Sequence, residues 1–318
     1  MSYMCGYFRY YYPVEYCTSY LNCAKNNDDI VNGTALIKKY GITIKPVRFG
    51  YSVWEYMCDS KNKTIYKGLD GIKYLNSTIA EELCNLRDGK YDTFVDVLNA
   101  IKNTTVNSRQ LDVLIKVDFF SEFGEMNKLL DTAKKFQMLS DKKVILKKKI
   151  EDLQISEEML RRFAAKETDA QFRFTEDGIL SLIKMHEKVT KVKPISVGER
   201  LKYQQEFLGY VDFVDKNLDV KYIFISDLDT KYSPRAKVYC LKTGETCDMK
   251  FYKKLPRSFE VKTSFEQIPV ENGDVLYMTK CKKRPKKRMN KKGRWVNTDE
   301  FEWWIIDYRK VEDLENAV

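Results

Sequence analysis

With 318 residues, 43% of them hydrophobic and 13% aromatic, the chain is long enough for two or three cores and does not have a disordered composition. No run approaches the roughly 18–20 apolar residues of a membrane helix. Met1–Tyr20 lacks a basic stretch followed by an apolar one, so neither a membrane segment nor a secretory leader is expected.

Met1–Tyr20 is dense in Tyr and Phe around Pro13 and reads as a segment packed on something, with a short helix from Tyr16 to Ala24. Asn27–Tyr40 reads as a helix closed by Gly41, and Ile42–Val47 as extended. A short strand or turn is expected at Thr64–Gly68. Ser77 is the expected cap of a helix over Thr78–Leu86, where Ile79, Leu83 and Leu86 share a face. Thr93 caps Phe94–Ile101, Asn107 or Ser108 opens Arg109–Val117, and Glu125–Leu139 follows. Helices are also expected near Ser156–Ala165, Ile179–Val189 and Glu199–Tyr210, with Lys166–Asp177 as a polar linker.

From Lys221 the pattern turns to strands: Lys221–Ser226, Lys237–Leu241, Thr246–Lys254, Asp274–Lys283 and Phe301–Tyr308, with turn chemistry between them. Five strands in about 90 residues suit a small barrel such as the OB fold. The fold class is therefore α+β: an all-helical helix-hairpin-helix domain followed by a five-stranded OB-type β-barrel. The expected divisions are 1–50, 51–140 (the hairpin domain), 141–218 (a helical linker region) and 219–318 (the barrel).

The net charge of +10 is local. Lys280, Lys282, Lys283, Arg284, Lys286, Lys287, Arg288, Lys291, Lys292 and Arg294 fall in one acid-free segment, outside which basic and acidic residues balance at 46 each. Such a cluster suits a polyanion, because each neutralised phosphate releases counterions; a solvated loop or a targeting signal is the plainer alternative. Eight scattered cysteines without a C-x-x-C pair, and a single histidine, His186, give no zinc pattern and suit a reducing cytoplasm.

The segment Lys67–Ala80 feeds a glycine-bearing turn into a capped helix. Turn amides and a helix N-terminus make a phosphate seat, so Lys67, Gly68, Gly71, Lys73, Asn76 and Ser77 are candidate DNA-backbone contacts. The same turn could serve packing alone. Tyr74-Leu75-Asn76 stands where a Gly-hydrophobic-Gly hairpin is usual, and Tyr74 adds bulk there. A second hairpin candidate runs from Asn107 through Arg109 and Lys116 to Gly124. On the strands, Tyr239 and Phe251 are candidates for base stacking, although core packing is the commoner role. The basic residues Lys282, Lys283, Arg284, Lys286, Lys287 and Arg288 would extend from the fourth strand as a charged arm. Trp295, Trp303 and Trp304 are expected to complete the core. Asp227-Leu228-Asp229 sits at an expected turn and makes a poor metal site. No P-loop or nucleophile motif is present, so no catalytic residue and no cofactor is assigned.

Several stretches together resemble the alpha subunit of the C-family replicative DNA polymerases (the DNA polymerase III type). Tyr7–Tyr16 is similar to the aromatic run near the end of that family's fingers. Leu36–Ile42 resembles the next helix and strand, with Lys45-Pro46 replacing a double proline. Ile65–Lys73 is similar to the start of its helix-hairpin-helix region, Leu114–Gly124 to a later hairpin segment, and Lys202–Tyr210 to the run before its OB domain. The resemblance is collinear over nearly the whole chain. It implies a part that holds primer-template DNA for replication, with DNA, duplex and single-stranded, as partner. It also implies a polypeptide carrying palm and fingers as a second partner, since the palm's metal-binding aspartates have no counterpart here. The family's clamp-binding peptide has one candidate, Gln171, Phe172 and Phe174, one residue short of the usual spacing; the sliding clamp is a candidate partner on that ground. The alternative function is a freestanding single-stranded nucleic-acid-binding accessory protein.

Overall fold

The computed structural model describes residues 2–24, 26–211, 213–253, 263–289 and 293–311. The chain forms two compact units, Met1–Ile195 and Ser196–Val318.

The first unit opens with α1 (Ser2–Tyr11) and α2 (Pro13–Asn22), the latter started by proline, whose missing N–H costs nothing at a helix start. Val14, Cys17 and Leu21 recur at helical spacing on α2 and pack with Ile37 of α3 (Asn27–Lys39), Ile42 and Ile65. The strands β1 (Thr43–Lys45), β2 (Met57–Asp59) and β3 (Thr64–Tyr66) form a small sheet in the order β1-β3-β2; β1 and β3 fall within the runs expected to be extended, and β2 is the strand the sequence pattern does not show. Next come α4 (Ser77–Leu86), α5 (Phe94–Ile101), α6 (Ser108–Lys116) and α7 (Met126–Leu139). Their caps are local: Thr93 and Asp96 form a reciprocal box at α5, and Asn107 and Gln110 do the same at α6. Phe94, Phe119 and Phe120, all fully buried, meet Phe49 in one aromatic core, with Phe94 and Phe120 5.3 Å apart.

The expected polar linker at Lys166–Asp177 is instead structured. The strands β4 (Val144–Leu146), β5 (Lys166–Glu167) and β6 (Gln171–Arg173) pair in the order β4-β6-β5, with α8 (Ile150–Leu153) and α9 (Glu157–Phe163) between β4 and β5. Glu167 binds both Arg161 at 2.9 Å and Lys147 at 2.7 Å, which pulls its carboxyl down to about 2. The unit's last helix is α10 (Glu176–Val189). It carries His186, which burial pushes below the ordinary imidazole range.

The second unit sets α11 (Val197–Phe207) against a closed five-stranded barrel. Its strands are β7 (Tyr222–Asp229), β8 (Arg235–Cys240), β9 (Thr246–Phe251), β10 (Val275–Met289) and β11 (Trp295–Lys310), with α12 (Ser264–Gln267) between β9 and β10. The order around the barrel is β10-β11-β9-β8-β7, closing from β7 to β10, and the β9–β11 pair is parallel. Ile223, Ile225, Val238, Met249, Phe251, Leu276 and Ile305 fill the inside. Tyr222, Phe224, Tyr239 and Val275 point the other way and are covered by Leu201 of α11.

Two strands differ from expectation. β7 runs on to Asp229, so Asp227 and Asp229 lie on a strand, not at a turn, and Asp229 is held by Arg235 at 2.9 Å. β10 and β11 extend past the barrel as a paired ribbon, from Arg284–Glu302 out to Met289–Trp295, with Trp303 at its base, where β11 still pairs with β9. Among the described residues, no helix is long and apolar enough to cross a membrane.

Candidate nucleic-acid interface

The first hairpin lies between β3 and α4. The chain turns at Gly71, whose φ of +88° an L side chain rarely adopts, and again at Tyr74, φ +70°. Asn76, not Ser77, is the N-cap of α4: its Oδ1 accepts from the Ile79 N–H at 3.0 Å. Lys73, Asn76 and Ser77 are exposed around this helix start. Arg109, exposed at the N-terminus of α6, lays its guanidinium 3.6 Å from the centre of the Tyr74 ring, and Gln110 donates to the Tyr74 carbonyl at 3.0 Å. The structure thus brings candidates from both hairpins together, with Tyr74 as the seat for Arg109 and not an obstruction. Replacing Asn76 with Ala removes a cap bond, and a loss of about 1 kcal/mol in the first unit is expected, read as a lower denaturant midpoint with an unchanged slope.

Other hairpin candidates have structural explanations. Lys67 is buried, and its carbonyl accepts from the Ser52 hydroxyl at 2.7 Å, so its ammonium is not presented to a ligand surface. Gly68 is buried too. A Cβ there would lie 2.4 Å from backbone atoms of Trp54 and Glu55, so close chain packing accounts for this glycine. At the start of the second hairpin, the Asn107 N–H donates to the Gln110 side chain at 2.9 Å and the Gln110 N–H to Asn107 at 3.0 Å, and just before it Thr105 gives its N–H and its hydroxyl to Glu82, at 2.9 and 2.8 Å. Lys116, at the far end of α6 from Arg109, is ion-paired with Asp112 at 2.8 Å.

In the barrel, the two expected stacking residues belong to the core. Phe251 is 0% exposed and packs on Phe265 and Tyr308, with ring centroids 4.9 and 5.6 Å away. Tyr239 is buried on the side covered by α11, and its hydroxyl donates to the Phe213 carbonyl at 2.9 Å. Both sides of the wall are covered at these two positions, so strand alternation turns neither ring to solvent.

The basic segment does reach the surface, as a β-ribbon and not as a loop. Lys282, Lys283, Lys286, Lys287 and Arg288 are exposed on β10, and Arg284 is half-buried; Lys291 and Lys292 lie outside the described residues. Lys286 and Arg288 share Glu300, at 3.1 and 3.2 Å, and hold its carboxyl below the usual range. Among the described residues, Lys282, Lys283, Arg284 and Lys287 make no carboxylate ion pair. Arg284 lies between Tyr252 and Trp304, 5.2 and 5.3 Å from their ring centres.

The expectation that the last tryptophans complete the core fails for Trp303, which is 43% exposed, and for the half-buried Trp304; the side chain of Trp295 lies outside what is described. Phe301, also exposed, and Trp303 are surface aromatics that sequence reasoning misses. Their signal is the alternation of Phe301-Glu302-Trp303-Trp304, legible only with the β10 register known.

The clamp-peptide candidate is built into a sheet. Gln171 and Phe172 lie on β6, the central strand of its sheet, where Phe172 is fully buried; Phe174 follows, also buried. Both edges of β6 are paired and both rings are enclosed, so this segment cannot dock elsewhere without unfolding its sheet.

Residues 41–130 match the family described as a helix-hairpin-helix motif. The chain is 29% identical over 215 residues to the DNA polymerase III subunit alpha of Campylobacter jejuni, a match covering 66% of this chain and 16% of that protein. It is 23% identical over 126 residues to the same subunit of Ureaplasma parvum (39% of this chain, 13% of that protein). It is 27% identical over 128 residues to that of Treponema pallidum (39% and 11%). The chain therefore spans between 11% and 16% of the length of these curated relatives. By motif and by sequence similarity, it resembles the C-terminal region of bacterial DNA polymerase III alpha subunits.

Proposed function

We propose that this chain is the DNA-holding part of a replicative polymerase of the DNA polymerase III alpha type, and that it keeps primer-template DNA in place for the polymerase palm. The observation that carries this reading is the joint presence of a helix-hairpin-helix segment and a basic strand, β10, that has no acidic residue, in a chain similar to alpha subunits. The hairpin at Lys73, Asn76, Ser77 and Arg109 suits the backbone of duplex product, because capped helix starts with nearby cations bind phosphate without reading bases. Lys282, Lys283, Arg284 and Lys287 supply the larger electrostatic contribution.

The proposed second partner is the polypeptide carrying palm and fingers, whether continuous with this chain or separate. The first helix favours it. Tyr3, Phe8, Tyr10, Tyr11 and Tyr12 are all exposed on or beside α1, an apolar surface unusual for a face that stays in water. Mixing the purified chain with a polypeptide bearing the palm and fingers is expected to give a stable complex that extends a primed template, and Ser replacements at Tyr10 and Tyr11 are expected to weaken the association. Absence of both association and primer extension would sink the polymerase reading. A freestanding accessory role is the second reading; it is favoured by the barrel unit, which has a core of its own.

A further inference from the structure

We propose that the ribbon of β10 and β11 carries a base-stacking site for single-stranded nucleic acid, formed by Phe301 and Trp303 with Lys283 at its edge. Phe301 is 56% exposed, and Trp303 stands two residues along the same strand. Lys283 pairs with Trp303 across the ribbon, and its ammonium lies 5.1 Å from the Phe301 ring centre and 6.0 Å from that of Trp303. Neither ring is needed to close the barrel, whose interior is filled by other residues.

The opposite side of the ribbon is already engaged. Arg284 lies between Tyr252 and Trp304, Lys250 lies 5.4 Å from the Trp304 ring centre and pairs with Glu302 at 2.7 Å, and the Trp304 indole donates to Glu302 at 2.9 Å. The Phe301–Trp303 side differs in that both rings are exposed, with the mobile end of Lys283 as the group a base would displace from them.

Same-side residues on a strand are separated by roughly 7 Å, twice the rise per residue. That is about twice the 3.4 Å step per base on one strand, so a base can enter between the two rings. The lysine beside them meets the phosphate of the entering nucleotide, and Lys287, exposed further along β10, continues the positive track. Stacking demands an accessible base face, which a duplex hides. The site therefore takes a single strand, and any base sequence will serve, because every base has a π-face.

This inference rests on reading the ribbon as a DNA-binding surface, and the experiment separates the two. The full chain is titrated with a labelled oligo(dT) of about 20 nucleotides, a length that exceeds one such site, and with a duplex of equal length, over a range of salt concentrations. The Phe301→Ala/Trp303→Ala pair is expected to lose about thirty-fold or more in oligo(dT) affinity, to change duplex affinity by less than about two-fold, and to keep the parental salt slope, since no charge is removed. Phe301→Tyr/Trp303→Phe is expected to bind like the parent. Phe301→Leu/Trp303→Leu, which keeps apolar cover but has no π-face, is expected to behave like the alanine pair and guards against a folding artefact. Unchanged oligo(dT) affinity in both pairs, or an equal loss on duplex, would overturn the stacking site. If the alanine pair is silent while charge removal on the ribbon still weakens binding, the stacking proposal fails and the phosphate-binding role stands.

Discussion

Replacing Lys282, Lys283, Arg284 and Lys287 with Gln is expected to lower DNA affinity by two to three decades at about 0.1 M salt. The slope of log affinity against log salt is expected to fall by about 3, at roughly 0.7–0.9 for each phosphate that is no longer neutralised. These four are chosen because none makes a carboxylate ion pair among the described residues. Their charge is available to a polyanion without first breaking an internal bond. Lys286 and Arg288 make the internal control. Both already sit against Glu300, so neutralising them releases fewer counterions, and the slope is expected to change by less than about 1. Fluorescence anisotropy titrations across salt measure both quantities. A parental slope in the four-residue variant would show that the ribbon does not touch phosphate.

Phe251→Ala is expected to destabilise the barrel by about 3–5 kcal/mol, the range for removing a fully buried phenylalanine. Its ring lies against Phe265 and Tyr308, and the Tyr308 hydroxyl is anchored to the Ile268 carbonyl at 2.6 Å, so the surroundings cannot readily collapse into the space. A loss of this size corresponds to a fall of roughly 10 °C or more in the barrel's melting temperature. DNA binding measured well below that temperature is expected to stay near the parental value, because Phe251 supports the fold and faces no ligand. Phe251→Leu is expected to cost far less. A Phe251→Ala protein with parental stability and weakened DNA binding would return Phe251 to the interface. Calorimetry and binding on the same preparation decide between these outcomes.

Much of the fold is legible in the sequence because its signals are local. Thr93 with Asp96 and Asn107 with Gln110 are capping pairs three residues apart, and the helices behind them carry apolar faces at helical spacing. Five strands with turn residues between them are enough to suggest the barrel. What escapes depends on long-range geometry. The stacking of Arg109 on Tyr74 joins residues 35 apart in sequence, and no local pattern encodes it. β5 and β6 have two and three residues, too short for any period to show. The assignment of Trp303 to the core fails for another reason. The β10–β11 pairing changes register near Met278, Lys280 and Pro285, and each irregularity breaks the simple alternation by which sidedness is read. Tyr239 and Phe251 are aromatic residues on strands, as expected, but α11 covers one side of the wall and the barrel interior takes the other.

The ribbon has a consequence for solubility. Beyond the barrel, β10 and β11 pair only with each other among the described strands, so each turns an unpaired row of backbone donors and acceptors toward water. Such rows invite a second copy to anneal along them. On β10, lysine and arginine at close intervals make the approach of a second β10 repulsive. The charges proposed to meet phosphate thus also keep two copies of this strand apart, and polyanion binding would relieve that repulsion while covering the surface it protects.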